Sequence, residues 1–217
     1  MISPVLVLVV AVGLAVVVGL SMWSTMRKAR AESDARWRTA MHKLGVFCEQ
    51  FAANHGLVCV KGSDEWPYGW PRVHGAIDEA AFSLAFGWRH GEDWVASMRM
   101  RAPQRTEGEF RVWRVPPPTL PNRGRLIRLG DASFDLYCTV WMADAVDIDA
   151  LLSPTARAAL LSIPTVELAY RDGLVVISWP CESFLGESNE TAFATIEAGY
   201  KVLQELAASS RSQRVYR

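Results

Sequence analysis

The sequence predicts an α+β protein: an N-terminal transmembrane helix, then antiparallel hairpins packed with a juxtamembrane helix, a short middle helix and a C-terminal helix. Three observations predict this class. An uncharged apolar run opens the chain, apolar residues then recur first at helical spacing and later in strict alternation, and Asp-Gly and proline signals separate the alternating runs.

The run Val5–Trp23, VLVLVVAVGLAVVVGLSMW, has no charged residue. At about 1.5 Å per residue, a helix of that length matches the thickness of a hydrocarbon core. A cleavable signal peptide would begin with basic residues and have a shorter apolar stretch, whereas no basic side chain precedes Val5. Residues 1–26 are therefore read as a membrane anchor, with the lipid bilayer as partner. Arg27, Lys28, Arg30, Arg36 and Arg38 follow it against Glu32 and Asp34 only, and basic flanks stay on the cytoplasmic side. That orients the N-terminus outside and the soluble domain inside. Ala11, Ala15 and Gly19 recur every four residues, a small-residue stripe through which two anchors could approach closely.

Residues 27–115 form the first half of the soluble domain. Trp37, Met41, Leu44, Cys48 and Phe51 alternate steps of four and three, which predicts a helix packed on its own domain. Two heptads are too few to establish the alternative, a dimeric coiled coil. Asn54, His55 and Gly56 stop the helix, and Leu57–Val60 reads as a short strand. Phe82, Leu84, Phe86 and Trp88 then alternate with small residues up to a turn at 89–93, and Trp94, Ala96, Met98 and Met100 alternate on the way back. This is a hairpin with one buried face, and Arg111–Val115 adds a further strand.

Pro116, Pro117, Pro118 and Pro121 with Asn122 and Gly124 make residues 116–124 a connector, because proline donates no hydrogen bond to a central strand. Residues 125–208 form the second half. Phe134, Leu136, Cys138, Val140 and Met142 are expected along one face of a strand. A short helix follows, opened by Ser153 as N-cap and Pro154 in its first turn, burying Ala158, Leu160, Leu161 and Ile163. Val166, Leu168 and Tyr170 lead into Asp172-Gly173 and out to Trp179, a second hairpin. The closing helix starts near Ser188 or Asn189, presents Phe193, Ile196, Tyr200, Leu203 and Leu206, and ends in a basic tail at 209–217.

Composition excludes several classes. With 23 basic against 23 acidic side chains and 50% hydrophobic residues, the chain is neither a disordered tail, a collagen-like repeat nor a uniformly basic nucleic-acid binder. No phosphate-cradling glycine loop, nucleophile elbow, His-Glu-x-x-His or Cys-x-x-Cys occurs, so no catalytic residue, cofactor or metal site is assigned. Cys48, Cys59, Cys138 and Cys181 are scattered and read as buried free thiols; in an exported domain all four could pair, in three ways.

Three groups remain as candidate binding residues. Asp131 and Asp135, with Asp144, Asp147 and Asp149, form an acidic segment free of basic residues, suited to a hard cation or to carboxylate chemistry; turn formation and helix capping compete as explanations. Arg99 and Arg101 begin an arginine-rich stretch ending at Arg128, which an anionic lipid, nucleic acid or acidic partner would meet; outward strand positions compete here. Trp66, Tyr68 and Trp70 form the densest aromatic cluster, suited to stacking on sugars or bases, to a membrane interface, or to covering a sheet.

The segment LIRLGDASFDLYCTVWMADAVDIDALLSPTARAALLSI, followed by VELAYRDGLVVISW, resembles an uncharacterised family of bacterial single-pass membrane-anchored proteins. The matching elements are Gly130, Asp131, Phe134 and Asp135, the leucines Leu151, Leu152, Leu160 and Leu161, and the Asp172-Gly173 turn. The resemblance implies the architecture and a bacterial origin, and it transfers no activity; taken with the anchor and its basic flank, the expected location is a bacterial inner membrane. The resulting reading is a membrane-anchored, non-enzymatic binding or scaffolding protein. The alternatives are a tethered enzyme or metal binder using the carboxylates between Asp131 and Asp149, and a lipid or nucleic-acid binder using the arginines. A membrane-impermeant label applied to the outer side of the membrane should leave the C-terminal domain unmodified; labelling there would reverse the orientation.

Overall fold

The computed structural model describes residues 4–62, 69–89, 93–101, 108–117, 119–143, 146–180 and 189–212, with side chains left out at 4–17, 88–89, 93–94, 189 and 210–212. The chain divides into two compact units, Met1–Ala40 and Met41–Arg217. The first is helical throughout its described length, as the start of α1 (Pro4–His55). Its large apolar side chains at Val18, Leu20, Met22, Trp23 and Met26 are exposed, and the Arg27 guanidinium lies 4.3 Å from the Trp23 ring centroid. Among the described residues no helix is long and apolar enough to cross a membrane. Residues 5–17, most of the expected anchor, have side chains outside the described set.

The second unit is built on one antiparallel sheet of nine strands: β1 (Val58–Val60), β2 (Arg72–Ile77), β3 (Ala80–Arg89), β4 (Asp93–Arg101), β5 (Glu109–Trp113), β6 (Arg125–Ile127), β7 (Thr139–Met142), β8 (Glu167–Arg171) and β9 (Leu174–Pro180). Their spatial order is β1-β2-β3-β4-β9-β8-β5-β7-β6, so the late hairpin β8–β9 is inserted between β4 and β5. Strands from both sides of the connector therefore share one sheet. The first hairpin pairs Phe82 with Met100 and Trp88 with Trp94, the register the alternation predicts. In the second hairpin, Asp172 (φ 48°) and Gly173 (φ 82°) take the left-handed conformation that a two-residue turn between twisted strands requires.

One face of the sheet is the core. Leu84, Met98, Ile177, Leu168 and Val112 are wholly buried and lie side by side across five strands. Over them lies α5 (Asn189–Ser212), whose Tyr200 ring meets Phe82 edge-on and whose Ile196, Leu203 and Leu206 are buried. The last turns of α1 pack on α5 through parallel Phe47 and Phe193 rings, 4.0 Å apart between centroids. Met41, Leu44, Cys48 and Phe51 are buried, so this stripe faces its own domain. Gly56, at φ 65°, ends the helix where the sequence places the stop.

The segment from Phe134 to Met142 departs from expectation. Instead of one strand it forms α2 (Ala132–Tyr137) and then β7, because the Asp131 carboxylate accepts hydrogen bonds from Ser133 N and Phe134 N, 3.1 Å each, and starts a helix. Phe134 is buried, whereas Leu136 is 73% exposed instead of sharing a strand face with it. The middle helix exists as α4 (Pro154–Leu161), with the Ser153 hydroxyl accepting from Ala156 N at 3.1 Å. Its buried side is Ala156, Ala159 and Leu160 leading to Ile163, while Ala158 is exposed and Leu161 half-exposed. A further helical turn, α3 (Ile148–Leu151), is capped by Asp147. The strands β2 and β6 have no counterpart in the sequence reading.

The connector crosses the face opposite the core at the β5–β7 end. Gly124 sits at φ 121°, and a Cβ there would come within 2.5 Å of the Trp141 ring and 2.6 Å of the Met142 carbonyl oxygen. Gly124→Ala should therefore lower unfolding free energy by about 3 kcal/mol, combining the left-handed backbone cost with overpacking. Chemical denaturation of the purified protein measures it, and a change under 0.5 kcal/mol would contradict this placement.

Candidate functional site

The acidic segment is structural in its local chemistry. Gly130, at φ 74°, turns the chain into α2, and Asp131 caps that helix. Asp135, one turn later, reaches back: its two oxygens accept from Leu129 N at 3.0 Å and Gly130 N at 2.9 Å. The two aspartates thus satisfy the free N–H groups on either side of the helix start, a reciprocal arrangement akin to a capping box. With Phe134 buried between them, Gly-Asp-x-x-Phe-Asp is a self-contained helix-initiation device.

The other described carboxylates are similarly engaged. Asp147 accepts from Ala150 N at 3.0 Å, and Asp149 pairs with Arg157, whose Nε also donates to the Leu152 carbonyl at 2.9 Å. Asp144 lies outside the described residues. Among the described residues no group of three or more His, Cys, Asp and Glu is arranged to hold a metal ion. His55 is hydrogen-bonded to Glu197 at 3.0 Å, and His42 and His74 are exposed.

The aromatic cluster is only partly visible. Trp66 and Tyr68 lie outside the described residues. Trp70 stacks on Phe86 with centroids 6.3 Å apart, and Phe86 belongs to the buried face, so Trp70 covers the sheet.

The arginines separate into two groups. Arg114 donates to the carbonyls of Leu161 and Ile163, at 2.6 and 3.0 Å, and ties the end of β5 to the C-terminus of α4. Beside it, burial pushes the Cys138 thiol up to about 11, with Arg114 opposing and Asp135 assisting. Arg111 pairs with Glu109 at 2.9 Å. Arg99 and Arg101, by contrast, are exposed on the side of the sheet away from the core. Arg99 stands in register with Ser83 and Val176, and Arg101 and Arg171 flank Leu174 across β4, β9 and β8. Two strand spacings put the latter pair of Cα atoms roughly 10 Å apart. Among the described residues neither Arg99 nor Arg101 has an ion pair.

Between these arginines and the connector, the floor of the same face is low. Ala85, Ser97 and Ser178 are neighbours in one register row, with Ala169 and Val176 in the next, all half-buried. The row ends in Glu167 and Trp113, joined by a 3.2 Å hydrogen bond from the indole N–H. A groove of about 690 Å³ opens there, walled by Pro116, Pro117 and Pro121 and floored by Trp113, Glu167 and Ser178. The sequence marked Arg99 and Arg101 as outward strand positions; the groove could not be seen, since it needs β8–β9 to lie between β4 and β5.

No protein-family model matches the chain, and no curated protein matches it in sequence. A solved structure, the mycobacterial trehalose monomycolate transport factor A, TtfA, is similar with a TM-score of 0.47 and 12% identity, over 76% of this chain and 95% of that one. At that distance the likeness identifies neither a family nor an activity.

Asp135→Ala should lower unfolding free energy by about 2 kcal/mol, since two backbone N–H groups lose a charged acceptor, and Asp131→Ala by about 1 kcal/mol. Titration with a divalent cation should give the same response for both variants and the parent. Lost cation binding with unchanged stability would restore the carboxylates as a functional site.

Proposed function

We propose that this chain is a membrane-tethered, non-enzymatic binding protein that takes its ligand on the sheet face opposite the core. One observation carries the reading: the helices gather on the buried face, and the other keeps a low floor of small residues between the exposed arginines Arg99 and Arg101 and the proline wall. Small side chains let a partner approach the sheet closely, and guanidinium groups at the rim favour carboxylates or phosphates on that partner. Asp131 and Asp135 are bound to backbone N–H groups, which leaves the tethered-enzyme alternative without a described cluster to work with.

The tether is the apolar run from Val5 to Trp23, held in a bacterial inner membrane with the domain on the cytoplasmic side. Exposed apolar side chains from Val18 to Met26 support it, as does Arg27 over Trp23, a pairing suited to the level of lipid headgroups. A nonspecific cationic attraction would make a weak, salt-sensitive contact, whereas the groove adds shape.

A photo-crosslinking residue placed at Ser97 or Ser178 in the full chain, in native membranes, should give a discrete adduct that Arg99→Glu with Arg101→Glu reduces at least tenfold. The same probe at Lys201, exposed on α5, should not give it. Equal adducts from both faces, or adducts indifferent to the charge reversals, would overturn the proposal, as would a catalytic turnover abolished by changing a groove residue.

A further inference from the structure

The open face of the sheet carries its charge unevenly. On β2, Arg72 and His74 flank the buried Val73, so alternation turns them away from the core, and both are exposed. Arg99 and Arg101 do the same on β4, and Arg171 joins them on β8 across Leu174. His74, Ser83 and Arg99 share one register row, and Arg101, Leu174 and Arg171 share the next on that face. The strand carboxylates described on this face, Glu109 and Glu167, are taken up by Arg111 and by the Trp113 indole. Asp172, in the turn, approaches Arg171 only to 3.9 Å. Among the described residues Arg72, Arg99 and Arg101 have no ion pair.

Apolar groups stand singly among these cations. Val58 and Val60, in register with His74 and Arg72, are 55% and 49% exposed at the β1 margin, and Leu174 is 42% exposed between Arg101 and Arg171. From β1 to β8, across five strand spacings, this mixed surface extends about 24 Å. A protein interface concentrates its apolar side chains in a desolvated centre and keeps charge at the rim. Here the cations and lone aliphatic side chains are interspersed. That composition suits a layer of many phosphates: guanidinium groups bind phosphate oxygens through paired hydrogen bonds, and single aliphatic side chains settle between headgroups. A second copy of the same face would set cations against cations. A single-stranded nucleic acid would call for exposed rings to stack on, and the described indoles on these strands, Trp113 and Trp141, are buried.

We propose that the open face docks on anionic lipid headgroups, with Arg72, Arg99, Arg101 and Arg171 taking phosphates and Val58, Val60 and Leu174 entering the headgroup layer. This names the occupant of the binding face proposed above and rests on that reading. The tether keeps the domain close to the bilayer, so the local concentration of headgroups is high and individually weak contacts suffice.

The test uses the full chain with a photo-crosslinking residue in place of Leu174, reconstituted into vesicles of equal parts phosphatidylcholine and phosphatidylglycerol. Arg171 and Lys201 bracket the probe, so trypsin releases residues 172–201 as one fragment, and its mass identifies any attached lipid. Phosphatidylglycerol adducts should exceed phosphatidylcholine adducts at least fivefold. Arg99→Glu with Arg101→Glu should lower them at least tenfold, as should the neutral pair Arg99→Gln with Arg101→Gln, whereas Arg99→Lys with Arg101→Lys should retain them. High salt should lower them in the parent. The same probe in place of Lys201, on α5, should capture no lipid.

No adduct at Leu174, equal capture of the two lipids, or capture indifferent to the loss of charge would overturn the proposal. So would a lysine pair as inactive as the glutamate pair, or a protein or nucleic-acid adduct at Leu174 in native membranes in place of lipid. A protein adduct from Ser97 or Ser178 in native membranes, with no lipid captured at Leu174 in vesicles, would keep the binding face and remove lipid as its occupant; loss of both would remove both.

Discussion

The second unit depends on the pairing of β4 with β9. Seven register pairs, from Val95 opposite Pro180 to Arg101 opposite Leu174, join strands that are far apart in the chain. Because this ladder puts β9 where β5 would be expected, β5 is displaced to the far side of β8, where it pairs with β8 on one edge and β7 on the other. Neither side of the proline connector is then a folding unit by itself. The same ladder brings α5, the continuation beyond β9, over Met98 and Phe82, where Tyr200 and Gly199 meet them. A fold closed by such distant pairing forms slowly compared with one built from local contacts, because loop closure precedes the gain in burial.

That dependence also explains where the sequence was readable. Local signals were enough for both long hairpins, for Gly56 as a helix stop, for Ser153-Pro154 as a helix start and for the buried stripe of α5. They failed where two local codes overlap. Phe134, Leu136, Cys138, Val140 and Met142 satisfy alternation, but Asp131 and Asp135 supply a helix start in the same residues, and hydrogen bonds to four N–H groups prevail over the pattern. The turn joining β2 to β3 was hidden for another reason. Asp78 and Glu79 both adopt positive φ without a glycine to announce it. Strand order was beyond reach, since no single segment encodes which distant edge it will meet.

The candidate residues divide along the same line. Arg99 and Arg101 were readable as outward positions because alternation alone decides the face. The duties of the aspartates were not, since an N-cap and a ligand carboxylate look identical in sequence. The described carboxylates of the acidic stretch answer mainly to backbone N–H groups, and Asp149 answers to Arg157. The positive charge on the open face is therefore not cancelled by the segment that follows it in the chain.

The sheet begins and ends on strands of only three residues, β1 and β6. A foreign strand approaching either margin finds too few unpaired backbone groups to make a lasting ladder, and Arg125 at the β6 margin adds a charge to the approach. Nine strands side by side would otherwise be a template for fibril growth. Truncated margins let the protein keep a broad sheet without offering a long open edge strand at either end.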